Sequence, residues 1–202
     1  MEENRAFEEM RISAVKRLEN RDCREIGENV GASFDGEKLR INSLGQEIWV
    51  DIHSWETSPR LGEWHTLTLL HYLDMGDGVP LSSQLISFGE LKDGMVRGTK
   101  FDHRMEQELA ALLRGRTPRE LEDACRALGA SLLETRADLT AVFPFFPNYP
   151  VTVNIWFEDE EFPPSGKMLL NKSADHYLTV EDAVTVGEIL MGKLGDEILR
   201  EG

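Results

Sequence analysis

Residues 139–158 read LTAVFPFFPNYPVTVNIWFE. Two apolar runs flank the turn residues Pro147, Asn148, Tyr149 and Pro150, the pattern of two strands joined by a short connection. In the second run Val151, Val153, Ile155 and Phe157 share one face and Thr152, Asn154 and Trp156 the other, because successive strand side chains alternate. Pro144 has no amide proton for a neighbouring strand, so the first run is expected at a sheet edge or at a bulge.

Outward from this stretch the periodicity changes from two to 3.6. TVEDAVTVGEILMGKLGDEIL (179–199) opens with Thr179 as N-cap and acids in its first turn, and predicts a helix over 179–200. Upstream, TPRE (117–120) combines Thr117 as N-cap, Pro118 at the first helical position and Glu120 closing a capping box. A helix from about Asp102 to Gly115 is expected to bury Met105, Leu109, Leu112 and Leu113. Residues 81–100 read as short strands and turns. The segment 62–73 is apolar nearly all round, through Trp64, Leu67, Leu69, Leu70, Tyr72 and Leu73, which predicts a buried helix. KLRIN and QEIWVDIH, parted by Leu44-Gly45, read as an antiparallel strand pair. Two N-terminal helices over 3–30 carry Phe7, Met10, Ala14 and Leu18, then Cys23, Ile26 and Val30, with Asn20 as cap of the second and Gly31 as its end. Helices and strands come in blocks. The expectation is a single α+β domain over 1–202: a mainly antiparallel sheet covered by helices, with 62–73 at its centre.

The chain has 202 residues, 41% of them hydrophobic and 29% charged, enough to bury a sizeable core. Its 37 acidic and 22 basic residues leave a net charge of −15. That field repels phosphate backbones, so neither nucleic acid nor an anionic membrane is an expected partner. Cys23 and Cys125 belong to no C-x-x-C pair, which removes zinc-ribbon, iron–sulfur and thioredoxin readings and leaves two small buried hydrophobes. The N-terminus MEENRAFEEM has no apolar core of a signal peptide, and no apolar run approaches a membrane span. A reduced, cytoplasmic protein is expected.

Three groups of residues could carry chemistry. The run Glu158, Asp159, Glu160, Glu161 before Phe162-Pro163-Pro164 offers oxygen ligands for a hard cation. It lacks the EF-hand spacing, and consecutive strand residues point to opposite faces, so a solvated strand end with Phe162 tucked into the core is the simpler reading. His71 lies on one helical stripe with Trp64 and Leu67, and Asp74 three residues on can accept from its ring. A satisfied core histidine competes with a base or ligand there, and His53 or His65 would have to approach to add a second ligand. Asp175, His176 and Tyr177 follow Ser173, which reads as the cap of a short helical turn. Ser82, Ser83 and Ser87 sit in no nucleophile elbow, and Gly76-Asp77-Gly78 is no phosphate loop. Aromatics from Phe143 to Tyr149 read as core before pocket edge.

Three stretches, LLHYLDMGDGVPLSSQLISFGEL, PNYPVTVNIWFEDEEFPPSGKMLLNKSADHYL and TVEDAVTVGEIL, resemble domain-of-unknown-function family 3786. The positions carrying the family pattern are His71, Tyr72, Ser87, Phe88, Asp159, Glu160, Glu161, Phe162 and Pro163. The resemblance implies a setting in anaerobes, with some members associated with corrinoid or iron–sulfur proteins. It supplies no catalytic residues. This chain has no cysteine cluster, so it holds no iron–sulfur cluster of the kind found in fused relatives.

The expected function is a non-enzymatic accessory protein that binds a small ligand or a partner protein, in corrinoid-linked anaerobic metabolism by the resemblance alone. Candidate binding residues are His71, Tyr72, Asp74, Asp159, Glu160, Glu161 and Phe162. The alternative is a metal-dependent enzyme holding its metal with Asp159, Glu161 and His71. The residues name no cofactor and no oligomeric state.

Overall fold

The structure, a computed structural model, describes residues 2–201, with side chains from 7 to 200. Its helices are α1 (Glu2–Leu18), α2 (Cys23–Val30), α3 (Glu63–Met75), α4 (Gly94–Leu113), α5 (Pro118–Ala127) and α6 (Val180–Glu201). Strands β1 (Ser33–Phe34), β2 (Lys38–Ser43), β3 (Gln46–Asp51) and β4 (Thr57–Ser58) form one antiparallel sheet in that order. Strands β5 (Leu85–Ile86), β6 (Ser131–Leu133), β7 (Leu139–Phe146), β8 (Tyr149–Trp156) and β9 (Ser165–Asn171) form a second, in the order β5-β9-β8-β7-β6. The class is α+β, as expected, but the strands divide into two sheets. A bond from the Leu44 amide to the Pro144 carbonyl, 2.8 Å, joins them.

The quoted stretch is the β7–β8 hairpin, at the centre of the larger sheet. Val151, Val153 and Ile155 are fully buried on one face, and Trp156 emerges on the other. Pro144 falls at a bulge, beyond the reach of β6, which pairs only with Thr140 to Val142. The strand thus carries a proline without losing a ladder bond on that side. Strand β9, which the sequence pattern does not announce, pairs along β8, and α4 lies over it. Gly166 of β9 allows the approach: a Cβ there would stand 3.0 Å from Leu109 Cβ.

Helix α3 is buried through Leu67, Leu69, Leu70, Tyr72 and Leu73, and packs against α1, α2 and α6. Each such leucine contributes about 1.5–3 kcal/mol of burial. The capping box of Thr117 and Glu120 forms as read from the sequence, and Gly31 ends α2 in the left-handed region. Four expectations are corrected. Asp22, and not Asn20, caps α2, accepting from the Arg24 amide at 2.8 Å. Asn171, and not Ser173, caps the 3-10 turn at Lys172–His176; Ser173 is buried and donates to it. Cys125 is buried, its thiol pushed up to about 12 by burial, while Cys23 is only half-buried. Helix α4 begins at Gly94, eight residues before Asp102. Gly94 and Gly98 hide that start, since glycine is a poor helix former. They are there because α4 packs on the 3-10 turn Phe88–Glu90 with no room for a side chain.

Candidate functional site

Helices α1, α3 and α6 and the first turn of α4 enclose an open cavity of about 730 Å³. Met10 and Arg17 of α1 line it, with Trp64, Leu67, Thr68, His71 and Met75 of α3. Arg97 of α4 and the start of α6, from the Thr179 cap to Ile189, complete it. Helical spacing does the placing: residues 64, 67, 68, 71 and 75 fall on one stripe of α3. Trp64 is 49% exposed and Met10 38%, so two residues expected in the core belong to the cavity mouth instead. The ring of Phe7 meets Trp64 edge-on at 5.5 Å and fixes it.

His71 is the polar centre. Its Nδ1 stands 2.6 Å from Asp182 Oδ1, and the other carboxylate oxygen accepts from Thr179 Oγ1 at 2.7 Å and from the Thr179 amide at 3.3 Å. The Asp182 amide returns a bond to Thr179 Oγ1 at 3.2 Å. The capping motif of α6 therefore doubles as the mount of the histidine. Burial raises the Asp182 carboxyl, but the His71 bond and charge and the Thr179 bonds outweigh it, and the net shift is downward. Ionised Asp182 can only accept, so Nδ1–H is the donor, and in the neutral ring Nε2 is left as an acceptor. Among the described residues no side chain or backbone group bonds to Nε2.

The other expected site residues disperse. Asp74 does not receive the His71 ring. It pairs with Arg17 of α1 and with Arg21 in the turn after α1, and its carbonyl also accepts from Arg21. Tyr72 lies outside the cavity lining, in the core between Phe146 (4.5 Å) and Tyr177 (5.5 Å). Its hydroxyl donates to the Val30 carbonyl at 2.8 Å and accepts from the Asn148 amide at 3.0 Å, tying α2 and the β7–β8 turn to α3. Burial pushes this phenol far up, against the Asn148 bond. Tyr72→Phe leaves both backbone groups unpaired and is expected to cost about 2 kcal/mol. Urea unfolding checks this, and an unchanged midpoint would mean that water replaces the hydroxyl.

The acidic run lines no part of this cavity. Asp159 Oδ1 accepts from the amides of Glu161 (2.8 Å) and Phe162 (2.7 Å), a local turn, and Glu158 reaches the Gly115 amide at 3.2 Å. Glu160 and Glu161 are exposed, and so is Phe162, at 66%, where burial was expected. Pro163 follows, exposed as well. Among the described residues no three His, Cys, Asp or Glu side chains group as a metal site, so Asp159, Glu161 and His71 do not form the expected one. Ser87 is in the capping box of the 3-10 turn, and Phe88 is buried against Phe101. His53 is exposed, His65 is buried on Ser43, and His176 pairs with Asp77 at the surface, 2.8 Å away.

Sequence reasoning missed Asp182. The spacing Thr179-x-x-Asp182 signals a cap, and nothing in it points to a histidine 111 residues earlier. No helix among the described residues is long and apolar enough to cross a membrane.

Fold and site together define an α+β domain with one carboxylate-mounted histidine on the wall of an open helical cavity. The model of a family described as Domain of unknown function (DUF3786) matches residues 22–193, and the chain belongs to that family. No curated protein matches the chain, and no solved structure does.

Proposed function

We propose that this protein is a non-enzymatic accessory protein that binds a small ligand in the cavity beside His71. The observation that carries the reading is the union of an open space of about 730 Å³, within the range of small-molecule sites, with a histidine whose ring is fixed by Asp182. Trp64, Met10, Met75, Leu67 and Ile189 offer the ligand an apolar wall, and His71 Nε2 gives it one oriented polar contact. The proposal includes corrinoid-linked anaerobic metabolism as the setting, a part supported by the family resemblance alone.

A fragment screen followed by protein-observed NMR tests it. Binders are expected to move the Trp64 indole and the His71 ring together, and His71→Leu, which keeps the volume and removes Nε2, is expected to weaken polar binders by about tenfold. Fragments that cluster elsewhere, or a screen with no hit at Trp64 and His71, would overturn the reading and turn attention to a protein partner.

A further inference from the structure

We propose that the outer face of the larger sheet is a docking surface for a second copy of this chain, independent of the cavity. Register sets Thr140, Asn154 and Lys167 side by side in one row across β7, β8 and β9, and Val142, Thr152 and Leu169 in the next. Leu133 of β6 extends the first row opposite Thr140, Pro144 pairs with Pro150, and Trp156 ends β8 on the same side. Successive strand side chains alternate, so all of these share the face opposite Val151, Val153 and Ile155. The helical layer lies on the core side. Leu109 of α4 meets Gly166 there, Phe101 of α4 and Met168 of β9 meet at Gly187 of α6, and α5 packs beside α6. The outer face is left open: Val142 and Leu169 are half-buried and stand outside the core cluster, while Trp156 and Leu133 are exposed.

Depletion of charge distinguishes the centre of an interface from ordinary surface. Among the strand positions of this face Lys167 alone is charged. The outer face of the smaller sheet, by contrast, carries Lys38, Arg40, Glu47 and Asp51. The Thr140 hydroxyl already donates to Asn154 at 2.8 Å, so covering it strands no proton. Charge also selects the occupant. At a net charge of −15 two copies repel each other, and a face without acids is where a second copy approaches at least cost. A basic partner would instead be drawn to the acidic surfaces. A two-fold axis along the strands sets β9 of one copy over β6 of the other and keeps each row at its own height. Lys167 makes no hydrogen bond or ion pair among the described residues, although its charge reaches Glu90. In the pair it meets the Leu133 end of β6, where the turn to β7 carries Glu134 and Asp138 against Arg136. Strands β6 to β9, about 4.8 Å apart and up to about 26 Å long, present roughly 400 Å² of flat area per copy. The pair therefore buries about 800–1,000 Å², at the small end of specific interfaces, which suits a dimer that dissociates on dilution.

Sedimentation equilibrium of the whole chain from about 1 to about 100 µM tests the proposal, with a monomer–dimer equilibrium inside that range as the expected result. Trp156→Lys and Leu133→Lys place cations at exposed positions of the face, where the fold does not depend on the native side chain. Leu133→Lys also sets a cation against Lys167 of the second copy. Each is expected to weaken the dimer by about tenfold or more, with an unchanged far-UV circular dichroism spectrum. Trp49→Lys, on the outer face of the smaller sheet, is the control and is expected to leave the equilibrium as it is. A monomer throughout the range would overturn the proposal. So would a dimer that Trp156→Lys and Leu133→Lys leave intact, since the contact would then lie on another face.

Discussion

Gly98→Ala is expected to cost about 3 kcal/mol or more, or to prevent folding, although alanine is the better helix former. A Cβ at this position would stand 2.0 Å from the Phe88 carbonyl oxygen, 2.4 Å from the Phe88 carbonyl carbon and 2.8 Å from the Gly89 amide. All three are backbone atoms, so no rotamer change relieves the contact. Nor can the turn retreat. Asp102 holds the Phe88 and Gly89 amides at 3.0 and 2.9 Å, and the Phe88 ring packs on Phe101 at 4.5 Å. The gain in helix propensity is about 1 kcal/mol and is overwhelmed. Gly192→Ala in α6 is the control, because a Cβ there meets nothing within 4 Å and should leave stability equal or higher. Urea unfolding of both variants decides the matter. A loss below about 1 kcal/mol for Gly98→Ala would show that the turn moves aside more cheaply than its bonds suggest.

Stability is also expected to fall by about 3 kcal/mol as pH drops from about 6.5 to about 4, through His65. This ring is 6% exposed, set against Phe145 and Phe146 with centroids 5.2 and 6.1 Å away, and Ser43 Oγ is 2.9 Å from its Nε2. Burial lowers its folded pKa to about 4, and the charge of Lys193 acts in the same direction. The unfolded histidine titrates near 6.5, so between the two values the unfolded chain binds a proton that the native state refuses. The full contribution is present above the unfolded pKa, shrinks as pH falls, and is gone at the folded pKa. Asp182, Asp77 and the capping carboxylates Glu90 and Glu120 have lowered folded pKa values, so their contributions begin to be lost as pH falls through the ordinary carboxylate range and are gone only below it, where the His65 window has ended. Urea unfolding from about pH 7 to about pH 5 measures the first window, where a loss of roughly 2 kcal/mol is expected, and His65→Gln should flatten it. A wild-type profile that is already flat there would mean that His65 takes up its proton in the folded state.

Much of the architecture was legible because it is local. The alternation of Val151, Val153 and Ile155 marks a strand wherever that strand ends up, since the pleat has period two. Thr117, Pro118 and Glu120 cap a helix within one turn of themselves. The all-round apolar character of residues 62–73 requires a buried helix, since no other placement removes those leucines from water. Tertiary packing reversed the local signal at Gly94 and Gly98: two residues that disfavour a helix are what its close contact with the Phe88 turn demands.

The site was half legible. His71, Trp64 and Leu67 share a helical stripe by spacing alone, and Thr179 with Asp182 is a cap by spacing alone. That the two features meet, 2.6 Å apart, depends on how α3 crosses α6, and that crossing is set by packing among residues far apart in the chain. Asp74 satisfied the same local rule as a partner for His71 and was taken instead by Arg17 of α1 and Arg21 in the turn after it. Helical periodicity states which side chains share a face. Only the packing of one helix on another decides what that face meets, because a side chain's partner is chosen by distance in space, which the order of residues along the chain does not encode at this range.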